Sequence, residues 1–314
     1  MERPITTRNG LRLWTEEFGR RGDPAVLLVM GATVPGTVWP DELCRLLAAE
    51  GFRVVRYDHR DTGRSDRSAA AYEMSELAAD AADVITGLGL EAAHVVGQSF
   101  GGVVAQLLAL RAPERVRSLV LLSSSPDANG DVRLPPAGGL PGPRAPMLER
   151  AARLAEAPPR GPREELAAAV DGWRVLVGPG VPFDERYWSD LARRVRDRAR
   201  QPDTSWRHLA ALDRMPPLTG PLAGLDVPTL VVHGELDPVF PPEHGEELHR
   251  VIPGARLWRL ARMGHIFPPH WSPAIGALIT EHVRRSTLTR TACEGDRDAP
   301  PDDGPDRPSG TAAA

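Results

Sequence analysis

An open α/β fold, with a mostly parallel sheet flanked by helices and an inserted helical lid, is the fold class that the sequence predicts. Three observations predict it. Short aliphatic runs alternate with longer amphipathic segments from residue 25 to residue 122, the rhythm of parallel strands joined by crossover helices. The alternation stops near residue 126, where Pro, Gly and Arg become frequent, and it resumes near residue 226. Finally, 314 residues can bury one large core, which fits a single domain with an insertion better than two equal domains.

The core opens with the strand-like runs ITTR, LRLWTEE and AVLLVM. Asn9-Gly10 joins the first two, a pair that tolerates the positive φ of a tight hairpin turn. WPDELCRLLAAEG follows with helical spacing, Pro40 near its first turn and Gly51 at its end. FRVVRYDH is the next strand and residues 73–88 the next helix. AHVVG and GGVVAQLLALRAP repeat that pair, and RVRSLVLLSS adds another buried strand. Helix-like segments then fall at 145–157, 163–177 and 184–213, approached through the proline-rich LPPAGGLPGPRAP. VPTLVVHG, a helix near 242–251, ARLWRL and a helix near 272–285 complete the pattern. The expected division is a core at 1–125 and 226–285, a helical lid at 126–225, and a tail at 286–314. That tail has almost no apolar residues to bury and is expected to be disordered.

All 38 basic residues are arginine, and lysine is absent. This excludes Schiff-base chemistry, a phosphate-loop lysine and a Ser-Lys dyad. A net charge of -4 gives no electrostatic reason to expect nucleic acid or an anionic membrane as partner. Cys44 and Cys293 supply neither a disulfide framework nor a thiolate metal site, so no metal is expected. The opening MERPITTRNG has no apolar run of the signal-peptide kind, and no run reaches the length of a membrane span, so a cytoplasmic protein is expected.

The stretch AHVVGQSFGGVVAQLLAL, residues 93–110, carries the chemistry. A Gly-x-Ser-x-Gly lies between a buried strand and an apolar helix, and Gly97 and Gly101 leave room for a sharp turn that lifts the Ser99 hydroxyl above the carboxyl edge of the sheet. The turn aims the first amides of the helix at whatever the hydroxyl attacks, so the Phe100 N–H is a candidate oxyanion donor. A serine hydroxyl is a poor nucleophile at neutral pH and needs an imidazole, which in turn needs an orienting acid. His265, in the loop after ARLWRL, is the best placed base, with His59 and His233 as competitors. In HGELDPVFP, Asp237 is favoured as the acid over Glu235, with Asp127 as the alternative after an earlier strand. The second oxyanion donor should come from Met30-Gly31-Ala32-Thr33, where the Ala32 N–H is the candidate and a plain turn the competitor. In DHRDTGRS, residues 58–65, Asp58, Arg60, Asp61 and Arg64 could bind an acidic group or buttress the strand end.

The stretches LLVMGATVPGTVWPDEL, RVVRYDHRDTGRSDR, HVVGQSFGG, HGELDPVFPPEHG and RLARMGHIFP resemble the α/β-hydrolase superfamily, and more narrowly the group containing aclacinomycin methylesterase. The similarity spans about residues 5–285. It implies Ser99 as nucleophile, Asp237 as acid, His265 as base, and Ala32 with Phe100 as oxyanion donors, without a cofactor. It also implies cleavage of a carboxylic ester, in the narrow version a methyl ester on a polyketide-type acid. Gln98 and Phe100 beside Ser99, and Ala32 in the oxyanion loop, depart from the group's pattern and change the walls near the scissile bond.

The partner expected is therefore a small apolar ester. Of the lid aromatics Trp173, Phe183, Tyr187, Trp188 and Trp206, one or two should touch it; Trp173 and Trp188 are the candidates, with Phe267 after the histidine loop. A carbon-carbon bond hydrolase, a thioesterase or a lactonase would use the same three residues, and a ligand-binding module without catalysis is the reading from another class. Enzymes of this fold that attack with a carboxylate are disfavoured, because the turn holds a serine.

Overall fold

The computed structural model describes residues 1–128, 139–200 and 203–295, with side chains to residue 288. Eight strands form one sheet: β1 (Glu2–Thr6), β2 (Arg12–Phe18), β3 (Ala25–Val29), β4 (Arg53–Tyr57), β5 (Ala93–Gln98), β6 (Val116–Leu122), β7 (Thr229–Gly234) and β8 (Arg256–Leu260). They are ordered β1-β2-β4-β3-β5-β6-β7-β8. β1 and β2 pair antiparallel, as does β2 with β4, and all the remaining pairs are parallel.

Burial on both faces explains the unbroken apolar runs of β3 and β5. Val26 and Leu28 of β3 pack on one face with Leu43 and Leu47 of α1 (Asp41–Ala49) and Ile275 and Ile279 of α10 (Ser272–Gly295). Leu27 and Val29 pack on the other with Leu77 of α2 (Met74–Gly87) and Val103 of α3 (Phe100–Arg111). The hairpin at Asn9-Gly10 closes with Gly10 at φ 85°. α9 (Glu243–Val251) joins β7 to β8.

Between β6 and β7 the chain forms α4 (Ala145–Glu156), α5 (Pro162–Val177), α6 (Glu185–Arg198), α7 (Arg207–Leu212) and α8 (Thr219–Leu222). The single helix expected at 184–213 is two, α6 and α7. Pro202, which has no N–H for a helix and disfavours helical backbone in the residue before it, stands between them in the sequence, and the Asp203 carboxylate accepts the Ser205 N–H at 2.9 Å. The first residues of LPPAGGLPGPRAP lie outside the described residues.

The last helix also differs from expectation. α10 continues to Gly295, ten residues beyond residue 285, so 286–295 is helical rather than a disordered tail. Ile275, Ile279 and Val283 form a buried stripe along the helix that Ser286 continues one turn on, with Ser286 Oγ and Thr287 Oγ1 donating to the carbonyls of His282 and Val283. Residues 296–314 lie outside the described residues. Among the described residues no helix is long and apolar enough to cross a membrane, and no cluster of three metal-ligating side chains occurs.

Candidate active site

Ser99 stands at the junction of β5 and α3 with φ 56° and ψ -122°, a conformation that side chains other than glycine rarely adopt. The neighbouring backbone leaves no alternative to glycine on either side. A Cβ on Gly97 would lie 2.6 Å from Gly102 Cα, and one on Gly101 would lie 2.7 Å from the Val29 carbonyl carbon. At Gly102 a Cβ would lie 2.5 Å from Ser124 Cβ, a side-chain contact rather than a backbone one. Ser124 Oγ donates to the Ser99 carbonyl at 2.9 Å and so ties the turn to the end of β6.

The structure brings the three candidate side chains together from three loop ends. His265 Nε2 lies 2.7 Å from Ser99 Oγ, and its Nδ1 lies 3.0 and 2.9 Å from the two oxygens of Asp237. An ionised carboxylate only accepts, so Nδ1 carries the hydrogen and Nε2 is free to accept the serine proton. Asp237 is fully buried, and its Oδ1 also accepts the N–H groups of Val239 and Phe240 at 2.8 and 2.9 Å. Pro238 lies within that turn.

The competitors have other partners. Glu235 pairs with Arg259, and the Asp127 N–H donates to Ser125 Oγ. His233 donates from Nε2 to the Phe240 carbonyl at 2.8 Å and sits beneath the Asp237 turn, with the same nitrogen 3.5 Å from Asp237 Oδ2, and burial lowers its pKa from the ordinary imidazole value. His59 faces the Met30 carbonyl at 3.0 Å.

A cavity of about 700 Å³ opens over this group. Ala32, Ser99 and His265 line it on the sheet side, and Trp173, Leu176 and Val195 line it from α5 and α6. Phe100 is 2% exposed, with its ring turned into the core. Trp188 stacks between Trp173 and Phe183, with ring centroids at 5.4 and 5.7 Å, and Phe267 lies 6.2 Å from Trp39. Trp188 and Phe267 do not line the large cavity; both border a small void of about 10 Å³ beside Met30, Gln98 and Ile266.

Both the fold and the meeting of three loop ends point to one family, and a family model described as the alpha/beta hydrolase fold matches residues 24–268. The chain belongs to the α/β-hydrolase family. Within it, the chain is 37% identical over 298 residues to the rhodomycin D methylesterase of Streptomyces peucetius, covering 90% of this chain and 99% of that protein. It is 38% identical over 306 residues to the rhodomycin D methylesterase of Streptomyces sp. strain C5, with the same coverage of 90% and 99%. Among solved structures, an esterase from Exiguobacterium antarcticum superposes with a TM-score of 0.73 at 22% identity, covering 90% of this chain and all of that one, and shares the fold.

Two features of this α/β hydrolase's site were missed in the sequence. Gln98 donates from Nε2 to the His265 carbonyl at 2.9 Å, linking the serine turn to the histidine loop. The His265 N–H in turn donates at 2.7 Å to the carbonyl of Leu176 in the last turn of α5, where helix carbonyls have no partner of their own. A Cβ on Gly264 would lie 2.6 Å from the Val177 carbonyl carbon, so only glycine lets α5 approach this loop. Neither link has a local signal, because each joins backbone to a segment far away in sequence.

The charged residues of 58–65 hold the loop and its neighbours. Asp58 accepts the N–H groups of Gly36 and Arg64 at 2.8 Å each and Arg198 Nε at 3.0 Å. Arg60 pairs with Asp80 and Glu76. Asp61 accepts the Ser68 N–H and the Thr204 hydroxyl.

Proposed function

We propose that this protein hydrolyses a methyl ester of a bulky, largely apolar polyketide-type acid through an acyl-enzyme. That it is a carboxylic ester hydrolase follows from its kinship with methylesterases over nearly its whole length. The observation that carries the mechanism is the line Ser99 Oγ, His265 Nε2, His265 Nδ1, Asp237, with each link at hydrogen-bond distance beneath a cavity of about 700 Å³.

In this reading Ser99 attacks the ester carbonyl while His265 takes the hydroxyl proton. Asp237 holds the ring and stabilises the imidazolium that forms. The N–H groups of Ala32 and Phe100 receive the negative charge of the tetrahedral intermediate, and each such donor contributes roughly 3 to 4 kcal/mol to lowering the barrier. His265 then gives the proton to the leaving methoxide, methanol departs, and water resolves the acyl-enzyme by the same steps. The cavity has the volume of a site for a drug-sized molecule, and Trp173 gives it an aromatic wall.

Methyl esters of multi-ring aromatic acids test the proposal. Free acid and methanol should appear in equal amounts by mass spectrometry, and neither should form with Ser99→Ala. Turnover of thioesters, lactones or β-diketones, with the methyl esters left intact, would replace this reading with another reaction of the same three residues.

A further inference from the structure

An oxyanion donor at the Ala32 N–H must point at the developing charge, yet Ala32 sits in the loop of residues 30–35, between β3 and the short turn of helix at Gly36–Val38, with no strand or helix to hold it. What fixes this loop lies behind it. The Met30 carbonyl lies 3.0 Å from His59 Nε2, and the Thr33 N–H lies 3.1 Å from His208 Nδ1. His208 Nε2 lies 2.9 Å from the Arg60 carbonyl, which can only accept. The hydrogen of that imidazole is therefore on Nε2, and Nδ1 is a bare acceptor for Thr33. By the same argument His59 carries its hydrogen on Nε2. Both rings are fully buried, and burial holds their pKa values down to about 4 for His208 and about 3 for His59, so both are neutral at physiological pH.

Three consecutive peptides are involved. His59 holds the carbonyl of the Met30-Gly31 peptide, and His208 holds the N–H of the Ala32-Thr33 peptide. The Gly31-Ala32 peptide, which carries the proposed oxyanion donor, lies between the two. Thr33 itself has φ 64°, a left-handed conformation for a β-branched residue, which persists only where its surroundings hold it. His208 also stacks on the Phe100 ring, with centroids 5.0 Å apart and planes 10° apart, while His59 meets the same ring edge-on at 5.8 Å. One imidazole thus touches residues on both sides of the proposed oxyanion hole. It comes from α7, in the insert, 175 residues after the loop it holds.

We propose that His208 is a positioning residue for the oxyanion loop, supplied by the insert and acting through the Thr33 amide. It lies behind the loop, and its effect is on the rate of the chemical step rather than on binding. The proposal rests on the ester-hydrolase reading and on Ala32 as donor.

The test compares His208→Asn with His208→Gln. The shorter amide brings its oxygen to the place of Nδ1, whereas the longer one reaches toward Nε2 and leaves the Thr33 N–H without an acceptor. With 4-nitrophenyl acetate as probe, Gln should lower kcat by about 10- to 100-fold at nearly unchanged KM, and Asn should stay within about 5-fold of wild type. Melting temperature is read for both variants, so that a folding defect is separated from a positioning defect. Equal kcat in the two variants at equal melting temperature would overturn the proposal, as would a loss carried by KM. The ester-hydrolase reading fails in a different way, since wild type itself would then neither turn over the probe nor accept a fluorophosphonate on Ser99.

Discussion

Around Ser99 the backbones of β3, β5 and α3 approach so closely that a single methyl group at Gly97 or Gly101 would collide with its neighbours. The insert between β6 and β7 packs on the core through apolar side chains, among them Val170, Trp173, Val177, Trp188 and Leu191, and adds a set of arginine-carboxylate pairs: Arg198 on Asp58, Arg207 on Asp61, Arg200 on Asp66 and Arg214 on Glu73. The first region is held by close packing, which admits one geometry. The second adds ion pairs to its apolar contacts, and the worth of each pair depends on how far it is removed from water. The insert nevertheless enters the site at two points, the Leu176 carbonyl on the His265 N–H and His208 on the Thr33 N–H.

The largest effect should come from the packed region. Asp237→Asn keeps the shape but favours the wrong imidazole tautomer, so kcat should fall by about 10⁴-fold while the melting temperature changes little. Steady-state kinetics beside a thermal melt checks this, and a fall below 10-fold would remove Asp237 from the proposed relay.

The charged region should respond according to burial. Arg198 is 11% exposed, covers the Trp14 ring at 3.8 Å and faces a fully buried Asp58, so Arg198→Gln leaves a carboxylate buried without its partner and should cost about 3 to 5 kcal/mol in urea unfolding. Equal losses for Arg198→Gln and the exposed Arg200→Gln would break the distinction drawn here.

Acid should act on both regions together. His59 belongs to the core and His208 to the insert, and burial depresses the pKa of each from 6.5 to about 3 and about 4. Below 6.5 the unfolded chain binds protons that the folded one refuses, so the stability of the neutral pair is whole above about pH 7. It is lost as the pH falls toward 4, by up to about 1.4 kcal/mol per pH unit for each ring. Melting temperatures at pH 7.5 and 5.5 read this directly, and the slope should be shallower in His208→Asn. The smallest effect is expected for Arg200→Gln, below about 1 kcal/mol, because that arginine is 48% exposed.

What could be read from the sequence follows the same division. The strands of the core announce themselves because both faces of β3 and β5 are buried, and the serine turn does so because Gly97 and Gly101 are forced by contact. His265 and Asp237 follow from their places at strand ends, a matter of topology. His208 and Leu176 carry no such mark: one looks like any histidine on a short helix, the other acts through its backbone, and both matter only once distant segments meet. The break between α6 and α7 was legible at Pro202, which cannot continue a helix, whereas the length of α10 was not, because the residue that continues its buried stripe of Ile275, Ile279 and Val283 is a serine, Ser286.

The central claim is that Ser99 is an activated nucleophile. Intact-mass labelling with a fluorophosphonate, on wild type and on Ser99→Ala, tests it most directly. A single adduct on wild type that is absent from the folded variant is the predicted result. An unlabelled wild type, or equal labelling of both proteins, would contradict it.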